Sequence, residues 1–70
     1  MLAWADLTVE VIRGDIIVSH ALSGVKAEYY KPANEPQLIL RRRTPTNDYA
    51  LLARIWEAAN HKARELGWIV

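Results

Sequence analysis

The side chains with the most chemical capacity fall into three groups. Toward the end of the chain, Glu57 and His61 stand four residues apart, as do His61 and Glu65, with Arg54 three before Glu57. A carboxylate and an imidazole at that spacing share one face of a helix and are able to exchange protons. Acid–base catalysis also needs a concave, partly desolvated site, and the face holding these residues is the polar one. Surface ion pairing, worth roughly 0.3–0.5 kcal/mol per pair, is the reading the spacing supports. The second group is Arg41-Arg42-Arg43, preceded by Lys26, Lys31, Tyr29 and Tyr30. Guanidinium groups take phosphate bidentately and aromatic rings stack on bases. Lys26, Lys31, Arg41, Arg42 and Arg43 are therefore the candidate contacts for nucleic acid or another anion, set against an edge strand kept from aggregating by charge. Third, Arg13-Gly14-Asp15 spells an adhesion tripeptide, but a hairpin turn that needs glycine accounts for it without a receptor.

His20 borders the core face of a strand and reads as a buried or rim histidine rather than a ligand. The chain has no cysteine and two histidines, which rules out disulfides and thiolate metal sites and disfavours structural zinc. No Gly-rich phosphate loop, nucleophile elbow or helical metal motif is present. No catalytic residue, cofactor or metal is expected. Nine Lys/Arg against eight Asp/Glu weigh against a dedicated nucleic-acid binder, whose affinity rests on many cationic contacts, and against an electrostatic membrane anchor. No apolar run approaches the roughly 20 residues that span a bilayer. Asp6 and Glu10 arrive too early for a signal-peptide core, so the expected location is the cytoplasm, with no membrane partner.

The elements that must position these groups are legible from periodicity. Leu7, Val9 and Val11 alternate with Thr8 and Glu10, as in a half-buried strand. After Arg13-Gly14-Asp15 a second β-branched run follows over 16–19. A type II′ turn at Gly14-Asp15 pairs Ile12 with Ile17; a turn one residue earlier, at Arg13-Gly14, keeps the same facing. Either way Leu7, Val9, Val11, Ile16 and Val18 are expected inward. A third strand runs over 25–31, the two prolines of 32–36 make a loop, and a fourth strand over 37–43 turns Leu38 and Leu40 inward. Thr44 before Pro45, or Thr46, is the expected helix N-cap. Tyr49, Leu52, Ile55, Trp56, Ala59, Ala63 and Leu66 then fall on one stripe about 120° wide. Gly67 reads as a left-handed stop, with Trp68 folding back in a Schellman-type cap. The expected fold is α+β: a four-stranded, mainly antiparallel sheet over about 7–43, then one C-terminal amphipathic helix over about 45–66 packed on one face, all in a single domain spanning 1–70.

A core this small rarely supplies more than about 3–5 kcal/mol. With disulfides and metal set aside, self-association is the remaining support. A helix of about 20 residues, roughly 30 Å long, also outruns strands of about 20 Å, so one end should project and need an apolar cover. Tryptophan is enriched at protein interfaces, and Trp4 and Trp68 lie near the chain ends. The candidate interface is thus Trp4, Leu66, Trp68, Ile69 and Val70; the competing reading packs both ends on the monomer's own core.

The tail Ala58-Ala59-Asn60-His61-Lys62-Ala63-Arg64-Glu65-Leu66-Gly67-Trp68-Ile69-Val70, with Tyr29-Tyr30-Lys31-Pro32 and Pro36-Gln37-Leu38 upstream, resembles a group of short uncharacterised bacterial proteins. The resemblance implies a bacterial source and carries no activity, cofactor or site residue. Together these readings favour a non-enzymatic protein-interaction module or accessory protein, working as a homodimer, with a different protein as the next choice of partner. The alternative is a weak nucleic-acid or anionic-ligand binder using the Arg41–Arg43 edge.

Overall fold

The computed structural model describes residues 5–70; the expectation placed on Trp4 lies outside them. Four strands, β1 (Leu7–Ile12), β2 (Asp15–His20), β3 (Val25–Tyr30) and β4 (Ile39–Arg43), precede one helix, α1 (Tyr49–Glu65). The strands form an antiparallel meander in the order β1-β2-β3-β4, and α1 lies across one face, against β2 and β1. The α+β expectation is met. No helix among the described residues is long and apolar enough to cross a membrane.

The β1–β2 turn is Arg13-Gly14, so Ile12 pairs with Asp15 and Val9 with Val18. Arg13 and Gly14 have φ of 52° and 82°, the pair of left-handed residues that defines a type I′ turn. This replaces the type II′ turn at Gly14-Asp15. Its twist matches that of the flanking strands, and it puts Asp15 at the head of β2, where its carboxylate meets Arg41. A left-handed arginine costs on the order of 1 kcal/mol.

The core is built from Ile16 and Val18 on β2, Val25, Ala27 and Tyr29 on β3, Leu38 just ahead of β4, and Leu51, Ile55, Ala58, Ala59 and Ala63 on α1. Alternation places the strand residues on one face. The helical stripe is rotated from the expected one. Leu51 and Ala58 are buried, whereas Tyr49 is 71% exposed, Trp56 41% exposed, and Leu66 also exposed. Small side chains let the helix approach the bulky Ile16 and Val18, and Trp56 is displaced to the flank, where its ring leans on Tyr29 at 5.4 Å. Val11, expected inside, is 41% exposed, although Ile16 opposite it is fully buried. Leu40, opposite Tyr29, is likewise left largely open.

The helix starts four residues later than its expected boundary. Its N-cap is Asp48, whose Oδ1 accepts from the Leu51 N–H at 3.1 Å. Thr44 instead prolongs the sheet: its N–H donates to the Lys26 carbonyl at 2.8 Å, and its Oγ1 accepts from the Lys26 N–H at 3.1 Å. Thr46 Oγ1 accepts from the Asp48 N–H at 3.1 Å, a short loop that leads into the cap. The expected end is met: Gly67 (φ 79°) donates to the Arg64 carbonyl and Trp68 to the Ala63 carbonyl, at 3.0 and 2.8 Å. Those two bonds are the Schellman pair. They turn the chain back so that Trp68 and Ile69 pack, half-buried, against the core. At 17 residues, about 25 Å long, α1 does not project as a 20-residue helix does. The cover expected from a second subunit over Trp68 and Ile69 comes largely from the chain's own core.

Candidate functional site

The basic residues singled out in the sequence do not form one surface. A β-bulge makes Tyr29 face Leu40 while Glu28 faces Arg42, so β4 carries one extra residue, Arg41. Arg41 and Arg42 then both serve the sheet face opposite α1. Arg41 meets both oxygens of Asp15, from Nε at 2.8 Å and from Nη2 at 3.1 Å, and lies 4.3 Å above the Tyr30 ring. Arg42 Nε lies 3.5 Å from Glu28. Arg43, past the bulge, is opposite Ala27 on the helix side, and its Nη1 donates to the Thr44 carbonyl at 3.3 Å. Burial pushes the Tyr29 hydroxyl pKa up, while nearby Arg43 opposes the shift. Lys26 belongs to β3 on the open face, and Lys31 donates to the Pro32 carbonyl at 2.9 Å. Two carboxylates thus sit among the three basic side chains of the open face.

A polar cluster that sequence reasoning missed joins Asp6, His20, Ser23 and Arg54. His20 Nδ1 lies 2.7 Å from Ser23 Oγ and Nε2 lies 3.2 Å from Asp6 Oδ2. Arg54 grips the same carboxylate with both terminal nitrogens. That guanidinium holds the Asp6 pKa down at about 2, and the Asp6 carboxylate raises that of Arg54 in return. With Asp6 ionised, the neutral tautomer that satisfies every partner has Nε2–H donating to Asp6 and Nδ1 accepting from the Ser23 hydroxyl. Serine, histidine and aspartate in this order are the parts of a nucleophilic relay. Here their hydrogen bonds join three parts of the fold. Ser23 Oγ also accepts from the Val25 N–H at 3.2 Å, fixing the β2–β3 turn, and the clefts described below are lined by other residues. Acyl transfer needs a substrate-sized hollow and oxyanion donors beside the nucleophile. The cluster ties the approach to β1, the end of β2 and the middle of α1 together.

Glu57 and His61 line a shallow hollow of about 300 Å³ with Trp56, Asn60 and Arg64 on the outer side of α1. Nearby, Lys62 Nζ donates to Glu65 at 2.8 Å and lowers the Glu65 pKa. Among the described residues no group of three His, Asp or Glu is placed to hold a metal ion.

Exposed apolar side chains also lie at the hairpin end of β1. Val11 is 41% and Ile12 46% exposed, on opposite faces of the same strand. Beside them, Gly14, Lys31 and Trp68 line an open cleft of about 360 Å³. Leu66 and Val70 are exposed, whereas Trp68 and Ile69 are half-buried, so the C-terminal candidates are split between core and surface. Among the described residues no strand pairs with the far side of β1. Its sequence, Leu7-Thr8-Val9-Glu10-Val11-Ile12, contains no proline, lysine or arginine, and its pairing with β2 runs without a bulge. Among the described residues Glu10 is its only charged side chain, so it is more weakly blunted than β4. Searches of protein-family models, curated proteins and solved structures each find no match to this chain.

Proposed function

We propose that the chain is a small non-enzymatic protein-interaction module that works as a homodimer. The observation that supports this most is β1, which among the described residues has no strand on its outer side and leaves Val11 and Ile12 exposed on its two faces. Apolar side chains beside unpaired backbone groups are the features by which one sheet recruits another strand. The polar clusters add little toward chemistry: Ser23, His20 and Asp6 line neither of the two clefts, and the Glu57–His61 pair lines only a shallow hollow on the outer side of α1. The anion-binding alternative has less support, because Arg41 and Arg42 each have a carboxylate neighbour. A cytoplasmic setting and a bacterial source belong to the same reading.

The test is sedimentation of the full chain from low to high micromolar concentration. A mass of twice the 8.0 kDa chain, falling toward one chain on dilution, is expected. One chain at every concentration contradicts the homodimer. Salt-sensitive retention on heparin, lost when Arg41, Arg42 and Arg43 are all changed to serine, favours the anion-binding alternative instead.

A further inference from the structure

The geometry points to the partner and register of this edge: β1 pairs antiparallel with β1 of a second copy, with Val9 opposite Val9 of that copy. The inference rests on the homodimer reading above and specifies how the two chains meet.

Three observations lead to it. The first is which backbone groups are available. Ile12 and Asp15 close the hairpin, and a β-turn hydrogen bond joins the residues on either side of such a turn. Hydrogen-bonded and non-hydrogen-bonded pairs alternate along an antiparallel ladder. Ile12, Glu10 and Thr8 therefore bond to β2, and the N–H and C=O groups of Leu7, Val9 and Val11 point to the edge that no strand among the described residues covers.

The second is self-complementarity. A two-fold axis must place residues of the same face opposite each other, so two registers are available near the strand centre. With Val9 opposite Val9, Leu7 faces Val11 of the second copy and Thr8 faces Glu10. All three outward residues then form hydrogen-bonded pairs, the exposed Val11 gains an apolar neighbour, and no like charges meet. The neighbouring register puts Glu10 opposite Glu10, which is destabilising, and leaves Leu7 unpaired within the strand. The β4 edge has no comparable solution, because its bulge interrupts the ladder and a register centred on Arg42 sets Arg42 opposite Arg42 and Arg41 opposite Arg43.

The third is clearance. In the β2-β1-β1-β2 order of the joined sheet both helices lie on the same face. Each rests on β2 and β1, so their axes stand about 10–14 Å apart at ~4.8 Å per strand. Close helix packing needs about 8–10 Å, so they do not collide.

The native chain has no cysteine, which makes single-cysteine variants direct reporters of register. In the inferred register, Val9→Cys places two Cα atoms about 5.5 Å apart, within disulfide range, while Glu10→Cys leaves its pair about 8 Å apart, beyond it. Under mild oxidation Val9→Cys should cross-link at least tenfold faster than Glu10→Cys. Val9→Pro removes an outward N–H without touching the β2 ladder and should sediment as one chain with a near-native circular dichroism spectrum. If the parent is a dimer but Glu10→Cys links faster, or neither variant links, the register is overturned and the homodimer reading stands. A parent that is one chain throughout overturns both. Masses that grow without limit indicate head-to-tail β1–β4 stacking and also overturn the inference. Should Val9→Pro fail to fold, the cysteine pair still decides.

Discussion

The two edges of this sheet are the same length to within one residue and are treated in opposite ways. β4 carries a bulge and three consecutive arginines, two of them held down by Asp15 and Glu28. β1 is regular and uncharged but for Glu10. A bulge breaks the repeat that a foreign strand has to match, and cations along the edge repel a second copy. The contrast favours reading the arginine run as protection of one edge over reading it as a binding surface. On the proposed function, protecting β4 alone leaves β1 as the place for strand addition.

Several substitutions sharpen or break this contrast. The largest effect is expected from putting a β4-like charge on β1. Val11→Lys, at an exposed position, should weaken self-association at least tenfold, about 1.4 kcal/mol, with the chain still folded; sedimentation across a dilution series reads it. Removing protection from β4 should have a smaller effect, read in the stability of the fold. Arg41→Ser loses a half-exposed ion pair with Asp15 and a stacking contact on Tyr30, together about 1 kcal/mol after solvent screening. A urea midpoint measures that loss, and a rise in light scattering on concentration would show the newly bared edge. A smaller change is expected at the turn between β1 and β2. Arg13→Asn, which suits left-handed geometry before glycine, should raise stability by about 0.5 kcal/mol, or a Tm gain of about 2–4 °C.

The last effect appears only in acid. Arg54 lowers the Asp6 pKa from 3.8 to about 2. The folded state thus binds this proton less readily than the unfolded chain. The stabilisation is fully present above pH 3.8 and is lost as the pH falls through about 2. Arg54→Met should remove that part of the acid dependence, which loosens the entry to β1 and leaves β4 unchanged. Acid unfolding curves of parent and variant make the comparison.

How much of this was legible in the sequence varied with the range of the interaction. The alternation of Val9-Glu10-Val11 and of Ala27-Glu28-Tyr29 gave the strands, and Gly67-Trp68 gave the helix stop, because those signals are local. The helix start was misjudged because Thr44 has two uses. Its hydroxyl suits a cap, but its backbone and hydroxyl complete the ladder with Lys26, and Asp48 takes the cap. The helical stripe was misjudged because large apolar residues weigh most in a periodicity argument. Ala58, Ala59 and Ala63 are buried here since close approach to Ile16 and Val18 requires small residues, and Trp56 is moved aside. Nothing in the order of residues announces the extra residue at Arg41, which separates Arg43 from Arg41 and Arg42. The Asp6–His20–Ser23 contacts follow from the Leu7–His20 register and a short turn, so they were within reach once the hairpin was set. The Arg54 contact, 48 positions from Asp6, was not.

The account depends most on β1 being occupied by a second copy while β4 stays bare. Amide hydrogen exchange at two protein concentrations tests this residue by residue. Leu7, Val9 and Val11 should exchange slowly at high concentration and quickly on dilution, with the outward amides of β4 fast at both. Fast exchange at Leu7, Val9 and Val11 at every concentration would contradict it.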